Sequence, residues 1–523
     1  MTEPAVLPKD LAANPVLSRW IEVRPDGRID VRVGKVELGQ GILTALAQLA
    51  ADELGVDLAA VRMLPADTAV GPDEGVTAGS LSISTSGPAL RAAAAHVRTL
   101  YAAAAARTWD VAPEKVTVAA GRFTDPDGRS ASYAELADAV DLDVPAEAGV
   151  PLATGGAYTG TDAPRLDLPD KIAGRPRYVH DLRLPGQWFA RVIRPPSPGA
   201  TLVEVPEPDG LTLVRDGSFL AVAGPDEATV VRAADRLRDT AVWSEVDSLP
   251  DEDDLGTFLR TGPHETIPVA DDAADAGSGT AGPVDGQRVR ATYSRPFLAH
   301  ASMAPSCAVA VWQPDGRVEV WSHSQGIGNL GRAIAAALGL DPATVHVRHA
   351  EGAGCYGHNG ADDAAFDAVL VARALPGTPV QVLWSRSDEL TWSPFSSAMV
   401  ADVAGTLDAA GRLGSWSYDV WSQGHSSRPG YAGVPGLLAA TTLARPATYP
   451  AAVDPPIANG AGSARNALPG YDLPNRRVTG HRLTESPIRT SAMRSLGGYF
   501  NVFAIESTMD EAAAVAGADP LEF

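Results

Sequence analysis

Cysteine is nearly absent: the 523 residues hold two, Cys307 and Cys355. Two thiols cannot form a disulfide framework and are compatible with a reducing compartment. They also fall short of the four thiolates that an iron–sulfur cluster requires, so the onward electron carriers of any redox activity would sit on another chain. Basic residues are in deficit, 42 against 64 acidic, for a formal charge of -22. Such a chain repels nucleic-acid phosphates and anionic lipid surfaces, which argues against both as partners. No apolar run reaches the length of about 18 residues needed to span a bilayer, and the opening MTEPAVLPKDLAANPVL has no basic stretch followed by an apolar one. No membrane insertion is expected, and the location is read as cytoplasmic.

With 45% hydrophobic residues, the chain has a core's worth of apolar side chains and length for about three domains of roughly 150 residues. Residues 1–150 read as a first segment. Trp20–Val23 and Arg28–Val33 alternate around the turn Pro25-Asp26-Gly27, which predicts a hairpin. Gly39-Gln40-Gly41 then opens an Ala- and Leu-rich helix to about Leu54, a short strand follows near Val61–Leu64, and the hydroxyl-rich loop Thr77–Gly87 leads through Pro88 into a helix passing Tyr101. Residues 165–245 carry the strands Trp188–Ile193 and Phe219–Val222 and the helix Ala228–Arg238, a compact α+β module. The Asp-, Gly- and Pro-rich residues 246–288 read as a linker. Residues 289–523 read as a further unit, in which strands and helices alternate from Val289 to about Leu407. The 422–476 stretch is too long for an idle loop and is expected to wrap over another element or cover a site.

Gly326-Ile327-Gly328-Asn329-Leu330-Gly331 satisfies the dinucleotide fingerprint, with a strand before it, a helix from Arg332, and Glu351 about twenty residues on. This leaves an NAD- or flavin-dependent dehydrogenase as an alternative. Against it, Arg317, Glu319 and Trp321 alternate with Val318 and Val320, giving the strand a polar face, and Ser322–Gln325 lengthen the turn. A second glycine loop, Glu351–Gly360, lies between the strand Val345–Arg348 and the helix Ala361–Ala372, and its bare amides suit anions or a large cofactor. Cys355 and His358 lack a second pair at ligand spacing, so a structural thiol and a solvated histidine are expected rather than zinc. Together with Gly39–Gly41 and Gly79–Ser86, these loops suggest an extended ligand with several phosphate and amide contacts.

Gly34–Gly41 with Thr77–Ser82, Lys171–Asp181, the Ser324-Gln325 step, Gly352–Gly357, Trp384–Glu389 and Ser491–Gly498 stand in an order that resembles the molybdopterin-binding large subunits of the xanthine dehydrogenase/aldehyde oxidase family. The first two segments precede Lys171–Asp181, which is similar to the start of an α/β hammerhead domain. This arrangement resembles the isoquinoline 1-oxidoreductase β-subunit and nicotinate dehydrogenase large-subunit branch. The resemblance implies an α+β fold of molybdopterin-binding domains with an inserted hammerhead domain. It also implies molybdenum held by molybdopterin, in the cytosine dinucleotide form, and a small partner subunit carrying [2Fe-2S] clusters. Carried over onto this sequence, Gly39, Gln40, Gly41, Gly79, Ser80, Ser82, Gln325, Gly326, Gly354, Cys355, Tyr356 and Gly357 would hold the cofactor. Gln325 would lie near molybdenum without ligating it, and Gln40, Gln325 and Gly352–Gly357 would converge. Arg494 would face substrate or cofactor; a buried, ion-paired arginine is its other reading.

The implied activity is oxidative hydroxylation of an N-heteroaromatic or aldehyde substrate, with oxygen from water and electrons passed to the [2Fe-2S] partner. The family's base glutamate lies beyond Phe523, and Glu37 reads as a structural partner of its turn. Asp519-Pro520 reads as the cap and first position of a further helix, so a continuing segment or a second polypeptide is expected to complete the large subunit. A non-catalytic cofactor-holding or assembly protein would lack the glutamate too. The resemblance predicts that the natively purified protein contains molybdenum and pterin, measured by elemental analysis and cofactor extraction; stoichiometric flavin or nicotinamide nucleotide released from this chain would contradict it.

Overall fold

The computed structural model describes residues 6–272, 286–431, 435–449 and 451–523. The chain forms two compact units. The first comprises Met1–Trp188, Cys307–Gly354 and Ala368–Val382; the second comprises Phe189–Ser306, Cys355–Asp367 and Leu383–Phe523.

In the first unit the expected hairpin forms from Ile21–Val23 and Ile29–Val31, with Ile21 opposite Val31, and Val61–Met63 adds in parallel beside the second strand. Two helices, Ile42–Leu54 and Gly87–Trp109, pack together with these strands. Alanines at 47, 50, 51, 93, 94 and 105 allow the helices to approach closely, while Trp20, Leu46, Leu90 and Val97 fill the space around them. Tyr101, Phe123 and Tyr133 close one end as a ring cluster, with Tyr133 lying 4.8 Å from both partners between centroids. The Tyr133 hydroxyl donates to the Leu54 carbonyl at 2.7 Å. The Thr77–Gly87 loop is shorter than expected, because Ser82–Ser86 forms a π-helical turn running into Gly87–Trp109. Its cause is local: the Ser84 and Thr85 hydroxyls turn back onto the Leu81 carbonyl.

The same unit holds Cys307–Trp312 antiparallel to Val318–Ser322, which runs parallel to Val345–His349. Val318, Val320 and Ser322 are buried while Glu319 and Trp321 are half-exposed, as the alternation implied. The following helix begins at Ile327, five residues before the expected Arg332. Gly326 stands at its N-cap, and burial of Ile327, Leu330 and Ile334 extends the apolar face to the helix start.

In the second unit Phe219–Gly224 pairs antiparallel with both Thr212–Asp216 and Trp188–Val192. Helix Glu227–Thr240, capped by Asp226, buries Val230, Ala233, Ala234 and Leu237 against Leu220 and Val222. The α+β module expected at 165–245 thus has its own core from Phe189 on. Its first residues lie with the other unit, where Val179 N donates to the Glu351 carbonyl at 2.8 Å.

The expected linker 246–288 is structured where it is described; residues 273–285 of it lie outside the described residues. It carries helix Leu255–Thr261 and strand His264–Asp271, which pairs antiparallel with Arg476–Leu483. Pro268 and the register irregularity at Pro268/Ala270 mask the strand's alternation in the sequence. His264–Asp271 edges a five-stranded sheet continued by Arg476–Leu483, Leu413–Gln423, Met399–Leu407 and Gln287–Arg295. Helix Gly498–Ala516 covers it through Phe500, Ala504, Ile505, Met509 and Ala512. Leu413–Gln423 and Arg476–Leu483 are parallel neighbours, so the chain between them must cross over, which accounts for the long 422–476 stretch.

Among the described residues no helix is long and apolar enough to cross a membrane. At the end of its strand in the first unit His349 is buried, with ring Nε2 unpartnered, and burial followed by the neighbouring His323 holds its pKa down to about 3. Above pH of about 6.5 folded and unfolded chains both keep it neutral; as pH falls from there towards 3 only the unfolded chain takes the proton. Stability from this group is therefore lost on acidification, at up to about 1.4 kcal/mol per pH unit. His349→Gln should flatten the slope of unfolding free energy between pH 4 and 6 in urea titrations, and an unchanged slope would count against this assignment.

Candidate functional site

In the first unit the expected anion-binding start of helix Ile42–Leu54 is occupied by the chain itself. The buried Glu37 carboxylate accepts from Gly39 N at 2.9 Å, Gly41 N at 2.8 Å and Leu43 N at 3.3 Å. Gly39 and Gly41 take φ of +100° and +80°, which lets the turn curl around that carboxylate. Glu37 is thus the structural partner of the turn. Gln40 is exposed and uses its amide on the same turn, accepting from Leu38 N at 2.5 Å and donating to the Val36 carbonyl at 3.1 Å.

Thr77 joins this turn to Gln325. Its hydroxyl accepts from Val36 N at 2.9 Å, its amide donates to the Gln325 carbonyl at 2.8 Å, and its carbonyl accepts from Gln325 Nε2 at 2.9 Å. Gln40 and Gln325 are therefore linked through Val36 and Thr77. Gln325 Oε1 is left buried without a donor, an acceptor whose satisfaction calls for an N–H from a ligand. This fits a pterin, whose ring edge is rich in N–H groups. The motif order gives Thr77 no role of its own; only contact across 248 residues reveals it. Gly79 and Ser80 are exposed with consecutive φ of +67° and +60°, and Ser82 opens the π turn. A serine held in the left-handed region is uncommon and marks a backbone set by its surroundings.

The fingerprint glycines serve packing. An added Cβ would lie 2.9 Å from Val76 Cγ2 at Gly326, 2.9 Å from the Asp73 carboxylate at Gly328, and 3.3 Å from Val347 Cγ2 at Gly331. The space a dinucleotide pyrophosphate needs is filled by residues 73–76. Glu351, the acid that the dinucleotide reading would put on a ribose, is bound by Lys171 Nζ at 2.6 Å and Arg177 Nη2 at 2.9 Å. Gly352 receives the His323 ring, 2.6 Å from where a Cβ would stand, and Gly354 takes φ of +104°.

Cys355, Tyr356, Gly357 and Arg494 belong to the second unit and are brought together there. Arg494 N donates to the Tyr356 carbonyl at 2.7 Å and His358 N to the Ala492 carbonyl at 2.7 Å. At Gly357, φ +135°, a Cβ would lie 2.1 Å from the Ala492 oxygen, so no other residue fits. Cys355 Sγ donates to the Gly357 carbonyl at 3.1 Å, and burial pushes its pKa up, so it stays a thiol. Two expectations are corrected here. His358 is buried rather than solvated, with Nε2 on Asp362 and Nδ1 on the Ser491 hydroxyl, both at 2.8 Å; burial lowers its pKa although Asp362 opposes this. Arg494 is exposed and makes no side-chain hydrogen bond or ion pair among the described residues, so the buried, ion-paired reading does not apply. That description fits Arg489, whose guanidinium grips Asp363 at 2.6 and 2.8 Å.

Residues 3–176 match a family profile described as a molybdopterin cofactor-binding domain, and residues 275–449 and 437–523 match a second profile of the same description. A nicotinate dehydrogenase subunit of Pseudomonas putida is 33% identical over 527 residues, covering 97% of this chain and 42% of that protein. The β-subunit of isoquinoline 1-oxidoreductase from Brevundimonas diminuta is 26% identical over 576 residues, covering 96% and 69%. In fold, the chain is similar to the solved quinoline 2-oxidoreductase from Pseudomonas putida 86, with TM-score 0.53 at 17% identity over 69% of this chain and 49% of that one. The chain thus spans less than half the length of the nicotinate dehydrogenase polypeptide it matches.

Because three backbone amides depend on one buried carboxylate, Glu37→Ala should cost about 2–4 kcal/mol, as buried donors left unsatisfied do. Glu37→Gln keeps one acceptor and should lose less. Denaturant midpoints compare the two; a Glu37→Ala chain as stable as the parent would show that the turn does not need the carboxylate.

Proposed function

This chain belongs to the xanthine dehydrogenase-type family of molybdopterin-binding large subunits, on the branch that includes the nicotinate dehydrogenase and isoquinoline 1-oxidoreductase proteins, and on that premise we propose that it serves a molybdenum hydroxylase acting on an N-heteroaromatic ring. The observation that carries the reading is the Gln325 amide, fixed by Thr77 with its oxygen buried and lacking a donor. When bound, the cofactor supplies a two-electron redox centre for hydroxylating an electron-poor ring carbon with oxygen from water.

The chain's own residues hold and orient. Gln325 Oε1 accepts an N–H of the pterin, and Nε2 stays on Thr77, so the amide cannot flip without breaking that bond. Gly79, Ser80 and Ser82 offer backbone and hydroxyl groups to pterin and phosphate oxygens, and the Gly39-Gln40-Gly41 turn, its two glycine amides held by Glu37, presents the exposed Gln40. Gly326 sets the Gln325 backbone, Gly354 turns its loop with φ of +104°, and Cys355, Tyr356 and Gly357 offer backbone amides. Arg494, exposed and without a side-chain partner among the described residues, faces the substrate. The proposal extends to the cytosine dinucleotide form of the cofactor, a small [2Fe-2S] partner that takes the electrons, and a base glutamate supplied from outside these residues, in cis or in trans.

Hydroxylation in water enriched in ¹⁸O tests the reaction: the complex should place labelled oxygen on the ring, and label arriving from dioxygen would overturn the proposal. Gln325→Leu should keep the fold but weaken pterin retention on the order of tenfold, the worth of one neutral hydrogen bond. Pterin and molybdenum content of the purified variant measure this, and full retention would remove Gln325 from the cofactor.

A further inference from the structure

Apart from the cofactor-holding loops, the first unit has an open cavity of about 600 Å³, and none of the residues lining it is among those proposed to hold the pterin. That volume is within the range usual for small-molecule sites. One wall is the hairpin strand Ile21–Val23, with Arg32 just beyond the partner strand. Another is the stretch around Val140 and Leu142, fixed in place because Ser18 N donates to the Leu142 carbonyl at 2.8 Å. With Val23 and Val70 these residues make the walls mostly apolar.

The polar groups of the lining are donors in excess of free acceptors. Arg32 gives Nη1 to the Ser18 carbonyl at 3.3 Å and Nη2 to Glu22, and its buried Nε has no acceptor. Both oxygens of Glu22 are engaged, the second by Arg24 Nη1 at 2.5 Å. Arg19, half-buried, reaches the Gly71 carbonyl and forms no ion pair with a carboxylate among the described residues. Tyr101, on helix Gly87–Trp109, is 2% exposed, and its hydroxyl makes no hydrogen bond among the described residues. Burial pushes its pKa up to about 12, so it stays a phenol able to donate. Asp143, the other acid of the lining, is exposed, accepts from the Ser18 hydroxyl at 3.2 Å and is screened by solvent. A ligand that completes these walls brings acceptor oxygens and one negative charge on an apolar body.

We propose that this cavity is a further ligand site of the chain, for an aliphatic monocarboxylate, with the carboxylate on Arg19 and Tyr101 and the hydrocarbon chain against Val23, Val70, Val140 and Leu142. Binding there needs neither molybdenum nor pterin, so it stands apart from the hydroxylase reading.

Calorimetric titration of the full chain with octanoate tests this. One octanoate should bind per chain, and the uncharged octanamide should bind on the order of tenfold more weakly, for loss of a charge-assisted hydrogen bond. Shortening the ligand to hexanoate should weaken it roughly fourfold for each buried methylene removed. Arg19→Gln should bring octanoate down to the affinity of octanamide and leave octanamide unchanged. Tyr101→Phe, which keeps the ring packed on Phe123 and Tyr133, should weaken octanoate less than Arg19→Gln does. No saturable binding, equal affinity for octanoate and octanamide, no dependence on chain length, or full affinity in Arg19→Gln would each overturn the assignment. If Arg19→Gln fails to fold, the comparison of the two ligands on the parent chain and on Tyr101→Phe still decides: an undiminished Tyr101→Phe chain, or a parent indifferent to the charge, refutes the site.

Discussion

The first unit's site depends on the pairing of Thr77 with Gln325. Thr77 gives its amide and takes the Gln325 side-chain amide in return, while its hydroxyl takes Val36 N. Each of these groups would cost about 1–3 kcal/mol if buried and unpaired, so the three bonds form together or the local backbone must open to water. Once they form, Gln325 has one degree of chemical freedom left, the buried Oε1. A residue whose backbone carbonyl and side-chain nitrogen fix its position and whose one remaining side-chain acceptor is buried is pre-organised for a donor.

Around that pairing, features that suggest anion binding have been turned to internal use. The helix start after Gly41 has its anion in Glu37, and the fingerprint glycines receive Val76, Asp73 and Val347. Glycine at a helix start admits close approach, but of what is decided by the segment lying nearest. The exposed Gly79-Ser80 pair and, in the second unit, the exposed Tyr356 are different, holding φ of +67°, +60° and +62° at positions open to solvent. Its neighbour Gly357 is forced by the Ala492 carbonyl.

In the second unit, two buried carboxylates of the helix starting at Ala361 bind it to the strands and crossover around it. Asp363 holds Arg489 and also accepts from Leu438 N at 2.8 Å, and Asp367 holds Arg194 and the Trp384 indole. Replacing one partner in such a network strands the other in low dielectric, which makes the geometry rigid.

The hairpin at residues 21–31, the helix to Leu54 and the strand at 318–322 were legible in the sequence, because periodicity records which side of an element meets the core. Gln40, Gln325, the Cys355–Gly357 loop and Arg494 could be named from a resemblance in motif order, and Glu37 was read as a partner of its turn. Pro268 hid the strand His264–Asp271, and the start of the helix at Ile327 was hidden by glycines that resemble a turn. The partners were not legible: that Thr77 joins Gln40's turn to Gln325, that His358 is buried between Asp362 and Ser491, and that Arg494 is exposed. Local sequence determines conformations governed by neighbours a few residues away; which polar groups remain unsatisfied is decided only when segments hundreds of residues apart are packed together and water is excluded between them.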